Sequence, residues 1–125
     1  MNKFFYDSYA IFEYLKGNQK YQKYFDDPIG ITTRFNLMEV FYHLYKEEGE
    51  EYANEIYNSF LTVCIEVSDE QIKNAMKLRK SLKDDKLNIS FVDAIGYSIA
   101  KENGLLFLTG DEDFEHLPSV EYVKK

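Results

Sequence analysis

Five acidic residues carry the chemistry that this sequence offers: Asp7, Glu39, Asp93, Asp111 and Asp113. Asp93 lies in Ser90-Phe-Val-Asp-Ala-Ile-Gly-Tyr-Ser-Ile-Ala100, a stretch otherwise nearly free of charge. Its helical neighbours would be Gly96, Tyr97 and Ala100, and an ionised carboxylate on such a face is costly to bury without a partner. Ser90-x-x-Asp93 also resembles a capping box, in which Asp93 bonds the free amides of the helix start. Cap and ligand are both open. Asp7 reads equally as a helix N-cap, and within Thr109-Gly-Asp-Glu-Asp-Phe114 either Asp111 or Asp113 can cap the turn. On a helical wheel Leu37, Val40, Phe41 and Leu44 form the apolar stripe, and Glu39 points away with Asn36 and His43. That places Glu39 in solvent, or on a polar face that lines a pocket. Together the acids supply hard oxygen donors with no softer companion, which suits Mg²⁺ or Mn²⁺. Two histidines and one cysteine without close pairing do not make a zinc site.

The elements that must position these acids alternate between strand and helix. Residues 3–6 read as a short first strand, followed by a helix that opens at Asp7-Ser8 and stops near Gly17-Asn18. A short helix through Tyr21–Phe25 ends at Asp27-Pro28, and Ile29–Thr33 reads as the second strand. Helices follow over 37–48, ended by Gly49, and over 51–61. The alternation in Val63–Val67 predicts a strand, and Ser68 or Asp69 opens a helix to about Leu82. Ser90 opens another, closed at Asn103-Gly104. Leu105–Thr109 is an apolar run of the kind a central parallel strand shows, and Glu121–Val123 reads as an edge strand. This order predicts an α/β fold, three-layered α/β/α, around a mainly parallel sheet. Functional groups of such sheets gather beyond the carboxyl ends of the strands. Asp7 and Asp111 then share one sheet edge.

At 125 residues the chain is expected to form one domain spanning 1–125, with 45% hydrophobic residues and no sign of disorder. No apolar run approaches the ~20 residues of a membrane span, and the charged, short N-terminal stretch does not resemble a signal peptide. The lone Cys64, in an apolar run, reads as a small buried hydrophobe, and a reducing, cytoplasmic setting is the expectation. A net charge of −7 opposes nonspecific binding to a nucleic-acid backbone, unless the acids concentrate in one pocket neutralised by cations. Lys73, Lys77 and Lys80 share a helix face that reads as a solvated surface or a phosphate-contact stripe. Tyr42, Tyr45, Tyr52, Tyr57 and Phe60 read as helix-pair packing or as a partner surface.

Four segments carry a family resemblance. Phe5-Tyr-Asp7-Ser8 looks like the opening of PIN domains, where an Asp closes the first strand. Phe35-Asn-Leu-Met-Glu39-Val resembles the helix bearing that family's glutamate. Leu87-Asn-Ile-Ser-Phe-Val-Asp93-Ala resembles its third acidic motif, and Leu106-Phe-Leu-Thr109-Gly-Asp111-Glu-Asp113-Phe114 its final strand and acidic turn. Size and the bare domain resemble the VapC-type toxin subgroup. The resemblance implies a ribonuclease in which Asp7, Glu39, Asp93 and Asp111 coordinate Mg²⁺ or Mn²⁺, with Asp111 or Asp113 as the last ligand. It implies support from Ser8, Asn36 and Thr109, RNA as substrate, a homodimer, and a small antitoxin partner. Two other readings remain within the family: a binding or regulatory module with little activity, and an RNA-processing nuclease outside any toxin system. A receiver domain would want an acidic doublet after the first strand, and haloacid-dehalogenase phosphatases need Asp-x-Asp; Asp7-Ser-Tyr9 gives neither.

Overall fold

A computed structural model describes residues 3–26 and 30–125. The expected helix stop at Asp27-Pro28 and the first residue of the second strand, Ile29, lie outside the described residues.

Every described strand pairing is parallel. β1 (Phe4–Tyr6) pairs with β4 (Leu106–Thr109), which pairs on its other side with β5 (Val120–Tyr122). β2 (Thr32–Thr33) pairs with β3 (Cys64–Ile65). A bridge from Ile31 to Phe5 joins the two ladders, with Tyr6 N–H donating to the Ile31 carbonyl at 2.8 Å and Ile31 N–H to that of Phe4 at 3.0 Å. The strand order is therefore β3-β2-β1-β4-β5, with the apolar β4 inside the sheet as its sequence requires.

Strand periodicity divides the side chains between two faces. Tyr6 and Leu108 point into one core, with Ile11 of α1 (Ser8–Leu15), Tyr21 of α2 (Gln19–Gln22), Leu37 and Val40 of α3 (Arg34–Glu48), and Phe60 of α4 (Glu50–Phe60). Phe5 and Phe107 point the other way, stacked at 5.8 Å, against Ala75 of α5 (Asp69–Asp84) and Ile95 and Ile99 of α6 (Phe91–Glu102). Helices on both faces give the three layers. α6 lies close to the sheet because of Gly96: a Cβ there would sit 2.6 Å from the Phe5 ring and 3.1 Å from that of Phe107.

Helix starts follow local capping chemistry. Ser68 and Gln71 form a reciprocal capping box at α5, and the Ser90 hydroxyl accepts from the Asp93 amide at α6. Three expectations need correction. The strand predicted over Val63–Val67 is only Cys64–Ile65, because Leu61–Val63 winds into a 3-10 turn continuing α4. Cys64 is half-buried rather than buried, being on a strand with a partner on one side. Asn36, which the wheel turns away from the apolar stripe, is completely buried, since α3 packs against α1 as well as the sheet. No described helix is long and apolar enough to cross a membrane.

Candidate active site

The carboxyl ends of β1 and β4 bring Asp7 and Asp111 to one edge, as parallel pairing of Tyr6 with Leu108 dictates. Asp7 is the N-cap of α1, 2% exposed, and its carboxylate accepts from the Ala10 amide at 2.7 Å. Burial pushes its pKa well above the usual carboxylate range. Hydrogen bonds from the Thr109 hydroxyl and the Ala10 amide act against burial, and the charges of Asp93 and Asp111 add to it. Thr109 also accepts from the Asp111 amide at 3.1 Å, so one hydroxyl serves both strand ends.

Asp93 occupies the first turn of α6. Burial raises it to about 6; Ser90 opposes the shift, while the charges of Glu39 and Asp111 reinforce it. Asp7 thus lies within the field of Asp93 and Asp111, and Asp93 within that of Glu39 and Asp111. Asp111 is half-buried and caps the 3-10 turn Glu112–Phe114 through the Asp113 amide at 3.0 Å. Asp113 is exposed and is not among the principal charges acting on Asp7 or Asp93.

Glu39 is half-buried, neither free in solvent nor isolated. The Ser8 hydroxyl donates to its carboxylate at 2.5 Å and accepts from the Asn36 amide at 3.3 Å. Asn36 in turn accepts from the Thr33 hydroxyl at 2.7 Å, and Thr33 caps α3. The chain Thr33–Asn36–Ser8–Glu39 ties α3 to α1 through hydrogen bonds that are buried as far as Ser8 and part-buried at Glu39, and such bonds hold a side chain to one rotamer far better than a solvated contact. Thr33 escaped the sequence reading. Its signal was a hydroxyl immediately before a helix, three residues ahead of Asn36.

Each acid is thus held by its own partner: the Ala10 amide for Asp7, Ser8 for Glu39, Ser90 for Asp93, the Asp113 amide for Asp111. Among the described residues no three of His, Cys, Asp or Glu stand close enough together to hold a metal ion. Repulsion between like charges opposes such closure until a cation offsets it. The donor set itself, carboxylate oxygens with hydroxyl support, suits a hard divalent cation.

The other candidates separate from this edge. His43 packs on Phe12 at 4.7 Å in a cleft between α1, α3 and α4. Lys73, Lys77 and Lys80 lie exposed on α5, with Lys80 paired to Asp84. On the helix pair, Tyr42 and Tyr45 are exposed, Tyr52 and Tyr57 half-buried, and Phe60 buried.

A sequence profile of the PIN domain matches residues 5–120, and the chain belongs to that family. Its fold is similar to that of VapC-type proteins. A DNA-bound VapBC from Salmonella typhimurium superposes with a TM-score of 0.78 at 18% identity, covering 99% of this chain and 98% of that one. VapC20 of Mycobacterium tuberculosis, described as a sarcin-ricin-loop-cleaving toxin, gives 0.76 at 22% identity over 98% and 100%. A toxin-antitoxin complex from Klebsiella pneumoniae gives 0.76 at 19% over 97% and 98%. Among curated protein sequences nothing matches.

Proposed function

We propose that this chain is a divalent-metal-dependent endoribonuclease that hydrolyses RNA phosphodiester bonds, acting as the toxin of a toxin-antitoxin pair. The observation that carries the reading is the placing of Asp7 and Asp111 beyond the carboxyl ends of paired parallel strands, with Glu39 held by Ser8 next to Asp7 and Asp93 in the first turn of α6, in a PIN-family chain. These four would hold Mg²⁺ or Mn²⁺, with Asp113 acting through water. Such an ion supplies Lewis acidity, both for activating a water and for neutralising the leaving oxygen.

The protein's part is positioning. Ala10 and Thr109 fix the Asp7 carboxylate, and Asn36 and Ser8 orient Glu39. Ser90 holds the α6 end, so that Asp93 is presented from a rigid turn. In this reading Asp111 is the fourth ligand, since it is Asp111 whose charge reaches Asp7 and Asp93. Exposed Met38, Tyr42 and Tyr45 on α3 suit a protein partner, a second copy or an antitoxin.

Cleavage of single-stranded RNA by the purified protein in Mn²⁺, abolished by EDTA and by Asp93→Asn, is the expected result. Cleavage that survives either treatment overturns it. RNA binding with no cleavage in any divalent ion would instead select a PIN-fold binding module.

A further inference from the structure

We propose that the groove between α2 and β5 is a binding track for single-stranded RNA leading to the acidic edge, an inference that rests on the ribonuclease reading for its substrate. The groove is open, about 510 Å³, and is lined by Lys20, Lys23, Tyr24, Tyr122 and Lys124 among others. All three lysines are exposed, and among the described residues none is paired with a carboxylate. The Lys20 ammonium donates to the Lys124 backbone carbonyl at 3.3 Å, which brings the two ends of the track together. Lys23 lies 5.2 Å from the centre of the Tyr24 ring. The neighbouring acid, Glu121, is engaged by the Tyr24 hydroxyl at 2.7 Å.

Tyr122 connects the groove to the acids. Its backbone is in register with Thr109, whose hydroxyl bonds Asp7, and the Val123 amide donates to the Thr109 carbonyl at 2.9 Å. Its phenol is raised first by burial and then by the charges of Glu115, Glu112 and Asp111, the last being a site acid. Between them, Gly110 admits Tyr9 and Tyr21: a Cβ there would collide with the Tyr9 ring and sit 2.6 Å from the Tyr21 hydroxyl.

A chain of net charge −7 repels a polyanion, so RNA needs a local positive path and an uncharged source of affinity. Proteins that hold single strands combine a basic groove with aromatic faces for base stacking. Lysines 20, 23 and 124 provide the first, and half-exposed Tyr122, at the end of β5 beside Thr109, provides the second where the groove meets the acidic edge. The stripe of Lys73, Lys77 and Lys80 belongs to α5, in the layer on the other side of the sheet.

The test measures binding of a fluorescein-labelled oligouridylate of about 12 nucleotides. It uses the Asp93→Asn protein in Mg²⁺, between roughly 50 and 200 mM salt. Replacing Lys20, Lys23 and Lys124 together by Gln should weaken binding about tenfold and reduce the salt slope by about 2. Tyr122→Leu should weaken it roughly fivefold or more with the slope kept. Replacing Lys73, Lys77 and Lys80 by Gln should leave affinity and slope unchanged. No binding by the parent, an unaltered slope in the first triple variant, or the loss appearing in the second overturns the track. If the first triple variant behaves as expected while the unmutated protein cuts no RNA in Mn²⁺, the track stands and the nuclease falls.

Discussion

The two faces of the sheet differ in what they bury. On the α5–α6 side the interior is Phe5, Ala75, Ile95, Ile99, Phe107 and Phe114, with ring-to-ring contacts such as Phe107–Phe114 at 4.8 Å. The buried polar side chains Asp7, Ser8, Glu13, Thr32, Thr33, Asn36 and Thr109 belong to the strand ends and to the side of α1 and α3. Among the described residues none of the buried side-chain polar atoms lacks a partner. One face is therefore an apolar support, while the other adds directed bonds at the strand ends to an apolar core of its own. Substitutions in either apolar core should register as stability, and those among the bonded polar groups at the strand ends as activity.

The largest expected effect is on the apolar side. Phe107→Ala removes a fully buried ring and should cost about 3–5 kcal/mol in urea denaturation; a loss below ~1 kcal/mol would break the contrast. Asp93→Asn should lower RNA cleavage by about 10²–10³-fold, by analogy with removing one stabilising group from an active site, while the protein stays folded. A matching drop in stability would place Asp93 with the support instead. Gly96→Ala forces a methyl onto the Phe5 ring and should cost about 1–3 kcal/mol, read as a lowered Tm. Ser8→Ala, on the polar side, should cut cleavage roughly 10–100-fold by freeing Glu39. Unchanged cleavage in that variant would make the Thr33–Asn36–Ser8 chain purely structural.

A further effect is a pH dependence without metal. Asp93 is raised from 3.8 to about 6 on folding, so between those values the folded state binds more protons than the unfolded one. Stability from this group is present at low pH and lost as pH rises through that window. Asp93→Asn should therefore be more stable than the unmutated protein at pH 7 by up to about 3 kcal/mol in EDTA, with the gain fading towards about pH 4. An equal difference at both pH values would sink this account.

Residues whose roles follow from a single element were legible in the sequence. Asp7 and Asp111 follow apolar strands, and a strand's direction fixes where its next residue goes. Ser68, Ser90 and Gly49 mark helix ends by local bonding and local backbone shape. Asn36 was misplaced because a wheel assumes one apolar stripe against one core, whereas α3 meets α1 through a polar contact. The stretch 63–67 has strand-like alternation, yet its first residue finishes a 3-10 turn. The lysine groove joins Lys20 of α2 and Lys23 of the 3-10 turn after it with Lys124 beyond β5, about a hundred positions away, and no periodicity announces such a meeting.

The Thr109 hydroxyl, shared between the Asp7 carboxylate and the Asp111 amide, has a spectroscopic consequence. A hydroxyl that donates to an ionised carboxylate is polarised and becomes a better acceptor at its own oxygen. When Asp7 takes up a proton, that donation weakens, and the bond from the Asp111 amide weakens with it. The backbone ¹H and ¹⁵N shifts of Asp111 should therefore titrate with Asp7, a residue on another strand. One amide resonance would report the ionisation of the most deeply buried acid of the site, and Thr109→Val would silence it.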